Sequence, residues 1–128
     1  MDSIQQAPIL VAIPHDWRIT VYRIVEQHTP FILTATTHRH MADFIRNQSL
    51  TGIITTAAWL LYPLVPTKQT LFDLVRGYVP TITLMERITQ PPDFISVFAP
   101  PRHNWCTVPF DEEELVSLMQ QTGMIPIQ

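Results

Sequence analysis

Apolar positions along this chain fall into short continuous runs, separated by stretches where they recur every three or four residues. The first run, Pro8–Ile13 (PILVAI), follows a polar lead and predicts a strand buried on both faces. Asp16 can cap a helix over about 17–27, in which Ile19, Tyr22 (with Val21) and Val25 fall at helical spacing. Phe31–Ala35 (FILTA) predicts a second strand. Thr36 or Thr37 can cap the next helix, which runs to about Asn47 with Met41, Phe44 and Ile45 on its inner face. Gly52–Ala57 (GIITTA) predicts a third strand, followed by a proline-punctuated loop that contains Trp59. A helix near 68–77 carries Leu71, Leu74 and Val75 as its apolar positions. Thr81–Met85 predicts the fourth strand, begun by Pro80 at a position strands tolerate, and Trp105–Val108 predicts the fifth.

Short apolar strands alternating with amphipathic helices imply βαβ units, hence a parallel sheet with helices on both faces. A common five-stranded solution is the flavodoxin-like order 2-1-3-4-5, although periodicity alone does not fix that order. Between the last two strands, Pro91-Pro92 and Pro100-Pro101 bracket DFISVFA. That spacing leaves room for two helical turns at most, so a short or irregular fourth helix is expected there.

The 128 residues read as one domain, long enough to remove about two-thirds of the unfolded surface from water. With 46% hydrophobic and 15% charged residues, a packed globule is expected rather than a disordered chain. The net charge of −3 and the lack of a Lys/Arg cluster argue against nucleic acid as a partner. The single Cys106 excludes an internal disulfide and a Cys-based metal cage, and its place in a predicted strand suits a buried, inert thiol. The longest apolar run, Ala57–Pro66, is too short for a bilayer and holds two prolines, and the N-terminus lacks a charged leader. The expectation is a soluble cytoplasmic protein with no membrane partner.

The segment from Trp105 to Leu115 (WCTVPFDEEEL) carries the most specific pattern. A strand runs into Pro109, and Asp111 then stands three residues before Glu114, the spacing of a capping box. Acidic residues at 111–114 also suit the positive end of a helix dipole. This wording resembles the last strand and helix of response-regulator receiver domains, where an aromatic residue precedes Lys-Pro-Phe and an acidic helix start. Thr34–Thr56 is similar to a receiver's second strand, second helix and third strand, and Pro80–Met85 to its fourth strand, so the resemblance covers nearly the whole chain. It implies the flavodoxin-like three-layer sandwich with strand order 2-1-3-4-5.

In that family, two acidic residues after the first strand and an Asp ending the third bind Mg²⁺, and the last of these accepts a phosphoryl group. A Thr or Ser on the fourth strand and a Lys on the fifth then hold that group. Such chemistry needs carboxylate oxygens for a hard cation and positive charge against the phosphoryl oxygens. At the matching positions stand Ile13 and Pro14, Thr56, Met85 and Val108. A register two residues longer would put His15 and Asp16 in place of the acidic pair, which supplies one carboxylate. The resemblance therefore implies a degenerate pseudo-receiver, without cofactor, metal or catalysis, that signals through protein–protein contact. Receivers meet partners or dimerise on the face of the fourth helix, fifth strand and last helix. Here Phe94, Phe98 and Trp105 would supply that interface, with a homodimer as one outcome. The match to Lys-Pro further implies a cis Val108–Pro109 bond.

Other constellations are weaker. His38 and His40, two apart, do not share a helix face and no third metal ligand follows from spacing, so a solvated polar cap is expected. Thr34, Thr36, Thr37, Thr55 and Thr56 suit strand propensity and helix capping, and Asp43, Asp73 and Asp93 suit solvation. The alternative to an interaction domain is a small-ligand sensor or enzyme using His38, Thr56 and Glu86 at the carboxyl ends of the strands.

Overall fold

The computed structural model of the chain describes residues 7–64, 69–75, 80–86, 103–108 and 111–126. Five strands, β1 (Ile9–Ala12), β2 (Ile32–Ala35), β3 (Gly52–Thr56), β4 (Thr81–Glu86) and β5 (His103–Val108), form one sheet in the order β2-β1-β3-β4-β5. Every pairing is parallel. Helices α1 (His15–Glu26), α2 (His38–Asn47), α3 (Ala57–Leu60), α4 (Leu71–Val75) and α5 (Glu112–Gln121) cover its two faces. The flavodoxin-like sandwich expected from the sequence is therefore the observed one. The expected short fourth helix, with Phe94 and Phe98, and the Val108–Pro109 bond lie outside the described residues.

Side-chain alternation along the central strands divides the core in two. Ile9, Val11 and Ile13 join Ile54, Ile82, Leu84 and Cys106 beneath α1 and α5. Leu10, Ala12 and Ile53 point the other way, toward Met41, Trp59, Leu60, Leu71 and Val75 from α2, α3 and α4. All four residues of β1 are buried, which explains a run without a polar member.

Helix starts depart from expectation in instructive ways. α1 begins two residues earlier than its 17–27 reading, with Pro14, not Asp16, at the N-cap position. The proline's φ of −59° already suits the entry to a helix, and its carbonyl accepts from the Trp17 amide at 3.3 Å. Of the two candidate caps for α2, Thr37 makes the bond: its hydroxyl accepts from the His40 amide at 3.0 Å. Asp111 does occupy the N-cap of α5, but its side chain makes no capping bond. Its carbonyl accepts from Glu114 and Leu115 instead, and the four exposed carboxylates act through the helix dipole. Asp73 is no mere solvated residue. It accepts from the amide and hydroxyl of Thr70, while its own amide donates to that hydroxyl, a reciprocal box that starts α4.

α5 ends in a Schellman turn. Gly123, at φ +82°, donates to Gln120, and Met124 donates to Met119 at 2.8 Å. The turn returns the chain to the sheet, where Met124 and Ile125 are buried. There the Met124 side chain fills the space that a Cβ on Gly52 would need.

Candidate functional site

In an open parallel sheet the chemistry is sought at the carboxyl ends of the strands. Ala12 stands opposite both Ala35 and Thr55, Thr56 opposite Leu84, Met85 opposite Thr107, and Glu86 opposite Val108. Ile13 and Pro14 follow β1 directly, whereas His15 and Asp16 lie in the first turn of α1. The five positions matched to a receiver's reactive residues thus come to one rim by their backbones. The side chains of Met85, Glu86, Trp105 and Val108 lie outside the described residues; along the backbone, Trp105 pairs with Thr83.

At this rim Ile13 is fully buried and belongs to the core under α1 and α5. Thr56 ends β3 and caps α3: its hydroxyl accepts from the Trp59 amide at 3.3 Å. The preceding Thr55 is also buried, and its hydroxyl donates to the Ala12 carbonyl at 2.7 Å and lies 3.8 Å from the Met41 sulfur. Capping and strand-to-strand bonding therefore occupy the hydroxyls of Thr37, Thr55 and Thr56. Thr36, exposed, and Thr34, half-buried on the edge strand β2, do not join them.

His38 is held by rings. Its imidazole stacks on Tyr62 with centroids 3.7 Å apart and planes 8° from parallel, and lies 4.6 Å from the Trp59 ring. Burial among these rings lowers its pKa from the ordinary value. His40 stacks instead on Phe44 at 4.5 Å, one helical turn along. The two imidazoles thus have different neighbours, and no group of three potential metal ligands forms among the described residues. Trp59, expected in a loop, is buried on α3 and links the site: its amide meets Thr56 and its ring meets His38. The signal for this was Thr56 followed by a short apolar run, an N-cap before a helical turn.

Cys106 on β5 is buried, and its thiol pKa is pushed up to about 12 by that burial, with the Glu114 carboxylate adding to the effect. It is a core group and no nucleophile. A cavity of about 520 Å³ lies between the end of α2 and α4, lined by Ile45, Arg46, Leu50, Asp73 and Leu74 among others. It sits near the opposite end of α2 from His38, roughly 15 Å away by helical rise.

No protein-family model matches the sequence, and no curated protein does. Solved structures do match in shape. The Vibrio cholerae chemotaxis protein CheY4 superposes with a TM-score of 0.65 at 18% identity, covering 91% of this chain and 99% of its own. The signal receiver domain of an HD domain-containing protein from Pseudomonas fluorescens Pf-5 gives 0.64 at 12% identity, covering 97% and 92%. The pseudo-receiver domain of the CikA protein gives 0.52 at 15% identity, covering 90% and 95%. The chain has the CheY-like, flavodoxin-like fold.

Proposed function

We infer that the chain is a pseudo-receiver: a signalling domain that acts by protein–protein contact and neither binds Mg²⁺ nor takes up a phosphoryl group. The observation that carries this reading is Thr56, at the end of β3, where a phosphorylatable receiver has its acceptor Asp. Its hydroxyl caps α3, and no base lies beside it among the described contacts. Ile13 and Pro14 offer no carboxylate after β1, Met85 no hydroxyl on β4, and Val108 no ammonium on β5. A protein partner or a second copy would dock on the face to which the resemblance assigns that role, with Phe94, Phe98 and Trp105 as its aromatic contacts. Such a domain works in the cytoplasm without nucleic acid. No described helix is long and apolar enough to cross a membrane.

The test is addition of Mg²⁺ with acetyl phosphate, and separately with beryllofluoride, followed by intact mass and melting temperature. Neither should change. A donor-dependent adduct, or a rise in melting temperature with beryllofluoride, defeats the reading.

A second reading, a small-ligand pocket formed by His38, Thr56 and Glu86, is favoured by one observation, the desolvated imidazole of His38 at the rim. A thermal-shift screen separates the two. Saturable stabilisation that is lost in His38→Ala would favour the ligand site.

A further inference from the structure

The cavity between the end of α2 and α4 combines an apolar wall with two opposite charges. α2 stops at Asn47, and Gln48 is already extended (φ −124°, ψ 145°), so the chain leaves the helix at once and carries Leu50 toward β3. On α4, Leu71 and Val75 are buried, whereas Asp73 and Leu74 line the cavity. Ile45, Leu50 and Leu74 are half-buried and pack against the core beneath these helices. Arg46 and Asp73 line the same space and are exposed. The Arg46 guanidinium makes no ion pair or hydrogen bond among the described residues, with Asp73 or with anything else. Asp73 accepts from the Thr70 amide and hydroxyl through Oδ2, at 3.0 and 3.1 Å, which leaves Oδ1 without a partner among the described residues.

Helix-dipole stabilisation accounts for Arg46 taken singly, and capping of α4 accounts for Asp73. Neither accounts for both charges standing unpaired over a shared apolar wall. At about 520 Å³ the space is within the usual range of small-molecule sites, about 300–1,000 Å³. An anion with an apolar tail would meet the Asp73 carboxylate there, and an apolar cation would meet Arg46. A molecule with both poles and an apolar body satisfies the whole surface. We propose that this cavity binds such a zwitterion, an apolar amino acid or a dipeptide of apolar residues. Its carboxylate is taken by the guanidinium fork of Arg46 and its ammonium by Asp73 Oδ1. Its side chain packs on Ile45, Leu50 and Leu74, where apolar burial supplies affinity and the two charges supply selection. The site adjoins the amino end of β3 and is independent of the phosphorylation pocket at the other end of the strands.

Calorimetric titration and thermal shift of the full chain with leucine, phenylalanine and leucyl-leucine test it. At least one should bind saturably and raise the melting temperature. N-acetyl-leucine, which lacks the ammonium, and leucinamide, which lacks the carboxylate, should bind at least about tenfold more weakly than leucine or the dipeptide. Glycine, without an apolar body, should not bind. R46Q should weaken the zwitterion by a similar factor and abolish its advantage over leucinamide. D73N, which keeps an oxygen for Thr70, should abolish the advantage over N-acetyl-leucine. Saturation by the dipeptide and by neither amino acid identifies a peptide site, and the converse an amino-acid site. Thermal melts confirm that both variants are folded. No saturable binding of any zwitterion, equal binding of the blocked compounds, or indifference to either substitution overturns the proposal.

Discussion

The imidazole of His38 lies flat on the phenol ring of Tyr62, 3.7 Å between centroids, and joins the start of α2 to the turn after α3. Because burial lowers the His38 pKa below its ordinary 6.5, the folded chain holds this proton less tightly than the unfolded chain does. The associated stability is complete above pH 6.5 and is lost as the pH falls through the folded-state value. Urea midpoints should therefore drop between about pH 7.5 and about pH 5.5, and drop less in His38→Asn, which has no titrating ring there. Equal drops in both chains would remove His38 as the source. Imidazole NMR shifts against pH give the direct reading.

Thr55 and Thr56 are adjacent but hold different things. Thr55→Val keeps the shape and removes the hydroxyl that donates to Ala12, so a cost of about 1–3 kcal/mol is expected in chemical denaturation. Thr56→Ala removes the cap of α3 and should cost about 1 kcal/mol. Neither substitution should alter the response to a phosphoryl donor. A stability loss at Thr56 well below a few tenths of a kcal/mol would show that its bond to Trp59 contributes nothing.

Cys106 should be inert toward thiol reagents in the native chain. Its thiolate is disfavoured by burial and by Glu114, and the side chain is 1% exposed. Labelling by a maleimide near neutral pH should wait on unfolding and accelerate with urea. Immediate stoichiometric labelling without denaturant would contradict the burial.

Gly123 holds a positive φ that L-residues adopt at a cost, and nothing crowds its missing side chain. Gly123→Ala should therefore cost about 1–2 kcal/mol through backbone strain alone. Asn, which tolerates that region better, should recover part of the loss. An unchanged urea midpoint in Gly123→Ala would contradict the Schellman turn.

Much of this architecture was legible in the sequence because the strands have strong local signatures. Buried on both faces, β1 must read as an unbroken apolar run, and Met41, Phe44 and Ile45 repeat with the period of α2. Strand order was a different matter: hydrophobic period cannot rank neighbours, and the resemblance to receivers supplied it. Helix starts are ambiguous in the sequence where two signals compete. Asp16 is the better capping residue by type, yet Pro14 sets the backbone for α1 two residues earlier. α3 was hidden because Pro63 and Pro66 closely follow the Ala57–Leu60 turn and make the whole segment look like a loop. The His38–Tyr62 stack had no sequence signal, since it depends on where two separate connections meet above the sheet. Thr56 stands out in the sequence for what it lacks, a carboxylate. Its capping role followed only from the observed helix.

The contact between Met124 and Gly52 has a consequence for how the protein is made. β3 lies at the centre of the sheet, and its first residue is covered by the Met124 side chain, which leaves the ribosome long after β3 itself. The nascent chain can pair β1, β2 and β3 early, but this seam stays open to water until residue 124 has emerged. Completion of this core therefore waits for Met124, and a chain halted before it keeps an uncovered apolar seam, the kind of surface chaperones bind.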